Sequence, residues 1–241
     1  MSENILIGIV TKDRYDCLDA LLYSLRFNNY PTVIIDVSEH LELSHTEDYN
    51  RFYNTPLNRR AVVYNKNMIM RLFLNSGHDY LFIIEDDVKI LDNDVFQYYV
   101  EASVKHNIHH MNFCGYPLPD RIRYDYNDDI QISENLMGVF SFYTKECIQN
   151  VGLMNERLCH NCWEHIEHTA RINKYYKYNP EFYHFPDISN SWEYLRLQKT
   201  APAIVKDEQY DRWMEEGKRI MVQSLGWQCM PIVSIKKLTI G

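Results

Sequence analysis

The sequence predicts an α/β fold, a mostly parallel central sheet flanked by helices on both faces. Three observations predict it. Near-continuous apolar runs alternate with segments whose apolar residues recur at helical spacing. The first three runs each end on a polar or acidic residue. The composition is that of a globular domain, 46% hydrophobic and 24% charged in 241 residues, which excludes a disordered chain or a disulfide-stapled miniprotein.

Ile5-Leu6-Ile7-Gly8-Ile9-Val10 reads as the first strand, closed by Thr11-Lys12-Asp13-Arg14, and Leu18, Leu21, Leu22 and Leu25 mark the helix that follows. Beyond Pro31, Thr32-Val33-Ile34-Ile35-Asp36 is a second, β-branched strand ending on a carboxylate. This makes a βαβ unit. Residues 38–58 are polar and without period; Ala61 to Leu74 then reads as a helix closing at Asn75-Ser76-Gly77. Asp79 to Ile84 is the third strand, and it runs into Glu85-Asp86-Asp87. The second half is less regular, with helices expected near 95–105, 145–151 and 163–173 and strands near 111–115 and 137–143. An acidic loop spans 125–129, and residues 207–225 form an amphipathic tail helix. Such strands are covered on both faces, and ligands of such sheets bind at the carboxyl ends of strands. Thr11, Asp36 and the three acids all fall there.

The formal net charge is −8, with residues 1–190 at about −10 and the remainder locally basic. This opposes binding of nucleic acid or anionic membrane through a broad basic field, without excluding nucleic acid outright. An anionic ligand needs a local device. Six cysteines without framework spacing, a start lacking the pattern of a signal peptide, and no apolar run near 20 residues lead us to expect a cytoplasmic protein, at most peripherally membrane-associated. Three consecutive acids at a strand end raise one another's pKa unless a cation neutralises them. Oxygen ligands suit Mg²⁺ or Mn²⁺, which keep positions open for phosphate oxygens. The alternative is a solvated loop.

Ile7-Gly8-Ile9-Val10-Thr11, Val33 to Asp36, Asn65-Lys66-Asn67 and Phe82 to Val88 occur in the order and spacing of family 2-like, nucleotide-sugar-dependent glycosyltransferases. Gly138-Val139-Phe140-Ser141, Cys147 to Glu156, Trp163-Glu164-His165-Ile166-Glu167, Arg171 and His184 resemble the acceptor half of the same enzymes. The resemblance spans roughly residues 5–190 and rests on the ordered set of motifs. It implies a GT-A fold, with a Rossmann-like sheet, a less regular acceptor half from 96 to 190, and a helical extension over 191–241. It further implies transfer of a sugar from UDP or GDP to a hydroxyl acceptor, with Mn²⁺ or Mg²⁺ as cofactor. Thr11 and Asp36 would contact the nucleoside. Lys66, standing where the family usually has Arg, would face the diphosphate or ribose. Glu85 and Asp86 belong to the nucleotide-sugar site by the same likeness, Asp87 is the expected metal ligand, and His184 adds a metal or phosphate contact.

The reaction needs a cation at the β-phosphate, where leaving-group charge develops, and a base for the acceptor hydroxyl. Inverting relatives carry an Asp base where this chain reads Glu164-His165. Either Glu164 takes the role, or His165, whose intrinsic pKa is near neutral, replaces the Asp. Trp163 is a candidate acceptor platform by stacking, or else the anchor of its helix. Cys159 and Cys162 form one CxxC pair, short of a four-ligand zinc site. A glycan acceptor is expected first, with lipid-linked glycans, proteins or modified nucleic-acid bases as other acceptors, and a homodimer is one use of the tail helix. Two other classes are a nucleotide-sugar-binding or hydrolysing protein without transfer, and a zinc-stabilised interaction module.

Overall fold

The computed structural model describes residues 4–36, 51–54, 61–115, 123–125, 127–133, 137–158, 163–178, 185–198 and 208–225. Strand β1 (Ile5–Thr11) is buried along its whole length, as a strand covered on both faces must be. It is followed by α1 (Tyr15–Leu25), β2 (Thr32–Asp36) and β3 (Arg51–Asn54), then α2 (Ala61–Leu74) and β4 (Tyr80–Glu85). After β5 (Val88–Ile90) and α3 (Val95–His106) come β6 (His110–Asn112), β7 (Arg123–Asp125), β8 (Ile130–Ser133) and β9 (Phe140–Thr144). Helices α4 (Lys145–Val151) and α5 (Glu164–Tyr176), strand β10 (Phe185–Ile188), helix α6 (Ser191–Tyr194), strand β11 (Leu195–Leu197) and helix α7 (Glu208–Leu225) complete the order.

The main sheet runs β3-β2-β1-β4-β9-β6. Only β9 is antiparallel to its neighbours, so five strands point their carboxyl ends the same way. Register places Thr11 beside Asp36 and Val10 beside Glu85, which brings the three expected strand ends to one edge. Alternation along β1 and β4 divides the core in two. Ile5, Ile7, Ile9, Phe82 and Ile84 face α1 and α3, while Leu6, Val10, Leu81 and Ile83 face α2, α4 and α5. Gly8 interrupts the β-branched run for a steric reason: a Cβ there would lie 2.3 Å from Ile69 Cγ2, where α2 presses on the sheet.

The sequence reading is extended in three places. Strand β3 lies within the aperiodic polar stretch, and a separate three-stranded antiparallel sheet, β10-β8-β7, forms in the irregular half. Residues beyond 190 also rejoin the body: β11 pairs with β5, and the Gln198 backbone N–H donates to the Asp87 carbonyl at 2.7 Å. Among the described residues, no helix is long and apolar enough to cross a membrane.

Motif residues of the second half act as braces. Asn67 of α2 donates to the Met154 carbonyl at 3.0 Å and accepts from the Met154 amide at 2.9 Å. Arg171 of α5 reaches the Val151 and Leu153 carbonyls at 3.0 and 2.7 Å and Glu167 at 2.8 Å. The short stretch after α4 is thereby pinned to both α2 and α5.

Behind the sheet, His110 is fully buried. Its Nδ1–H donates to the Phe142 carbonyl at 2.7 Å, so Nε2 is left to accept, and it lies 2.8 Å from both Thr169 Oγ1 and Asn112 Nδ2. Burial pushes the His110 pKa down to about 3, the Phe142 carbonyl opposing only in part. Below pH 6.5 the unfolded chain therefore takes up a proton that the folded one refuses, and stability falls as pH falls. Asp187, whose carboxyl burial raises to about 6, has the opposite sign over part of that range. A difference measurement removes it. The unfolding free energy of wild type relative to His110→Gln should shrink by about 1.4 kcal/mol per pH unit from pH 6.5 toward 3. Parallel pH profiles for the two proteins in urea would refute the neutral, buried assignment.

Candidate active site

Strand β4 delivers Glu85, and the turn after it presents Asp86 and Asp87. The three differ in direction. Asp86 is wholly buried, while the side chains of Glu85 and Asp87 are 25% and 22% exposed. Asp86 accepts the Thr11 hydroxyl at 2.6 Å, and Arg14, at the entry to α1, forms ion pairs with both Asp86 and Asp87. Burial raises the Asp86 carboxyl to about 6 against the opposing pull of Thr11 and Arg14; burial and Glu85 likewise raise Asp87. Gln198 supports the turn from beneath, its side-chain amide reaching the Asp86 and Val88 carbonyls at 3.0 and 3.1 Å.

Asp36 closes β2 at the same edge, fully buried, with the Tyr15 hydroxyl donating to it at 3.3 Å. The Thr11 side chain is also inside the protein, its hydroxyl engaged by Asp86. Thr11 therefore orients an acid in this arrangement, and Tyr15 covers Asp36.

Lys66 is engaged by protein groups in this structure. Its ammonium is buried, 2.7 Å from Glu85 Oε1, 3.4 Å from Glu164 Oε1 and 3.2 Å from the Gly138 carbonyl. Burial alone would lower the Lys66 pKa, but the two glutamates outweigh it and hold it above the ordinary value. One cation thus ties the end of β4 to the start of α5.

At that start, the Glu164 carboxylate sits 3.2 Å from His165 Nδ1. Burial would raise the Glu164 pKa, yet His165 and Lys66 together hold it at about 2. The imidazole lies against Gly138, where an added Cβ would come within 2.6 Å of His165 Cγ. Glycine is required there for the ring to keep its place.

Trp163 begins α5 with φ at 73°, a left-handed conformation that a bulky side chain adopts only under tertiary constraint. The constraint is α7. The indole N–H donates to the Met214 carbonyl at 3.2 Å, and a Cβ on Gly217 would meet Trp163 Cδ1 at 2.6 Å. Trp163 packs with Leu158, Ala170, Ile220, Met221 and Leu225, so the structure gives it the helix-anchoring role and leaves little ring face for stacking a ligand. His184, Cys159 and Cys162 lie outside the described residues. Sequence reasoning passed over Arg14, whose one signal was a basic residue shortly after a strand end opposite a run of acids.

The acids suit a divalent cation through chemistry already visible. Asp87 Oδ1 is buried without a hydrogen-bond partner, and its neighbours are carboxylates. Among the described residues, no three His, Cys, Asp or Glu side chains form a closed metal cage. One or two carboxylates completed by ligand phosphates is the ordinary way of holding Mg²⁺ or Mn²⁺.

Two solved structures share the architecture. One is mannosyltransferase PcManGT from Pyrobaculum calidifontis in complex with GDP-Man and Mn²⁺, at a TM-score of 0.51 and 11% identity, covering 70% of this chain and 51% of that one. The other is GalNAc-T7 with UDP, GalNAc and Mn²⁺, at a TM-score of 0.56 and 12% identity, covering 70% of this chain and 40% of that one. The fold is that of the GT-A glycosyltransferases. Within this GT-A fold the acids stand at the carboxyl edge of β4, beside the antiparallel strand β9. The chain spans about half or less of the length of these two structures. No family model matches the sequence, and no curated protein matches it.

Proposed function

We propose that the protein is a metal-dependent glycosyltransferase that moves a sugar from UDP or GDP to a hydroxyl acceptor. One observation carries the reading. The acid turn of β4 and the Glu164–His165 pair of α5, which a sugar transfer needs on its donor and acceptor sides, are held together by the single ammonium of Lys66. The likeness to structures bound to GDP-Man, or to UDP and GalNAc, with Mn²⁺, supports the same class of donor and cofactor.

In this reading Glu85 and Asp87, the two outward-facing acids, form a spaced pair in which Asp87 is the metal ligand and Glu85 serves the ribose or the metal's outer shell. The cation, when bound, supplies positive charge to a β-phosphate that becomes more negative as the sugar leaves. Asp36 and Tyr15 border the nucleoside. Asp86 is the inward acid that fixes Thr11 and Arg14.

His165 is the base. Glu164, with a pKa of about 2, is a weak proton acceptor, but as a fixed anion beside Nδ1 it selects the tautomer that leaves Nε2 to take the acceptor hydroxyl proton. Burial keeps water from Glu164, while the His165 side chain stays 18% exposed and so can be reached by an acceptor hydroxyl. Inversion follows if the base and the leaving diphosphate lie on opposite sides of the sugar. A glycan is the acceptor we propose.

Asp87→Asn tests the donor side. It removes one charge and one metal ligand at constant volume, so Mn²⁺-dependent donor turnover should fall by about 10³-fold or more while the thermal midpoint stays within a few degrees. Full Mn²⁺-dependent turnover in the variant would remove the metal assignment.

A further inference from the structure

The acid turn is neutralised in two parts. Lys66 serves Glu85, and Arg14 alone among the described cations serves both Asp86 and Asp87. The two cations are placed differently. Lys66 is locked inside, with 1% of its side chain exposed, whereas 38% of the Arg14 side chain is exposed at the mouth of the β1–α1 turn. Rotating Lys66 out would open a buried hole; rotating Arg14 out changes little beyond its own ion pairs.

Arg14 also leaves the site incompletely satisfied. Its Nη1 reaches Asp87 Oδ2 at 3.2 Å, but Asp87 Oδ1 remains buried without a partner. A guanidinium spreads one charge over a plane, whereas a divalent cation held by Asp87 would supply two charges at a point. At Asp87 the two would compete.

Resting on the transferase reading above, we propose that Arg14 is a displaceable counterion. It holds Asp86 and Asp87 together while no metal is bound, yields Asp87 to the incoming divalent cation, and then turns its freed fork to the diphosphate that arrives with that cation. A guanidinium suits this second role, since its parallel N–H donors match two phosphate oxygens. The same side chain thereby links metal binding to nucleotide binding, and an acidic protein acquires a phosphate-binding cation only when one is needed.

The test is titration of the 241-residue chain with Mn²⁺ alone, read as loss of the free-ion paramagnetic resonance signal, followed by UDP and GDP titrations of the Mn²⁺-loaded protein by calorimetry. In Arg14→Gln, Mn²⁺ alone should bind about tenfold tighter than in wild type, because the competitor is gone, while UDP or GDP should bind the loaded protein about tenfold more weakly. Arg14→Lys keeps a charge without the fork and should restore wild-type Mn²⁺ affinity but not nucleotide affinity. Mn²⁺ affinity unchanged in Arg14→Gln, with its melting curve intact, overturns the displacement; unchanged nucleotide affinity overturns the second role. Wild type that binds neither UDP nor GDP with Mn²⁺ overturns the transferase reading instead, and the Mn²⁺-only arm still decides whether Arg14 competes with the cation.

Discussion

Lys66→Met should destabilise the protein by about 3–5 kcal/mol, the range for removing one member of a buried ion pair and stranding the other. Methionine nearly conserves volume, so the loss reports charge rather than a cavity. What remains is unfavourable. Glu164 is 2% exposed, its Oε2 already has no hydrogen-bond partner, and without the ammonium it keeps His165 and a backbone hydrogen bond against the cost of burial. Its carboxyl should therefore move up from about 2 toward the ordinary range, still ionised near neutral pH, but without the ammonium that fixes its position beside the imidazole. Turnover should fall more than donor affinity does. Lys66→Arg keeps the charge and should recover most of the stability. Urea unfolding of the two variants decides the matter: a methionine variant within about 1 kcal/mol of wild type would mean that the ammonium does not hold the two halves together.

His165→Ala should lower kcat by about 10²–10⁴-fold, the span of a positioned general base, with little change in the affinity for donor and metal. Glu164→Gln removes the anion and keeps a hydrogen-bonding oxygen beside Nδ1, so a smaller loss is expected, about 10–100-fold, typical of a group that orients another. The pH profile separates them. A base must be unprotonated to work, so activity rises with pH through its pKa. That ascending limb should vanish in His165→Ala and persist in Glu164→Gln. If instead the limb survives in His165→Ala and vanishes in Glu164→Gln, the roles are reversed.

What the sequence disclosed, and what it withheld, follow from the range over which each signal acts. Helix α2 falls on the expected residues because its apolar period is a local property, and β1, β2 and β4 were evident as unbroken β-branched or apolar runs. Strand β3 reads Arg-Phe-Tyr-Asn and β10 contains Pro186, so neither announces itself; each is a strand because a neighbour offers it a ladder. The acids were legible for the same local reason, being three adjacent like charges. The partners of Lys66 were not. Glu85 and Glu164 stand 19 and 98 positions away, and no composition or period encodes that one ammonium touches both. Trp163 offered two readings until the close approach of Gly217 supplied the missing distance.

Strand β4 contributes side chains to both layers of the core, Phe82 and Ile84 on one face and Leu81 and Ile83 on the other, before it ends at Glu85. A floor clamped from above and below cannot bend to suit a guest without disturbing the whole interior. Adaptation to different visitors must come from rotating side chains such as Arg14 on an unyielding platform, so changes in selectivity should be sought among rotamers and rim residues rather than in the strand that carries the charge.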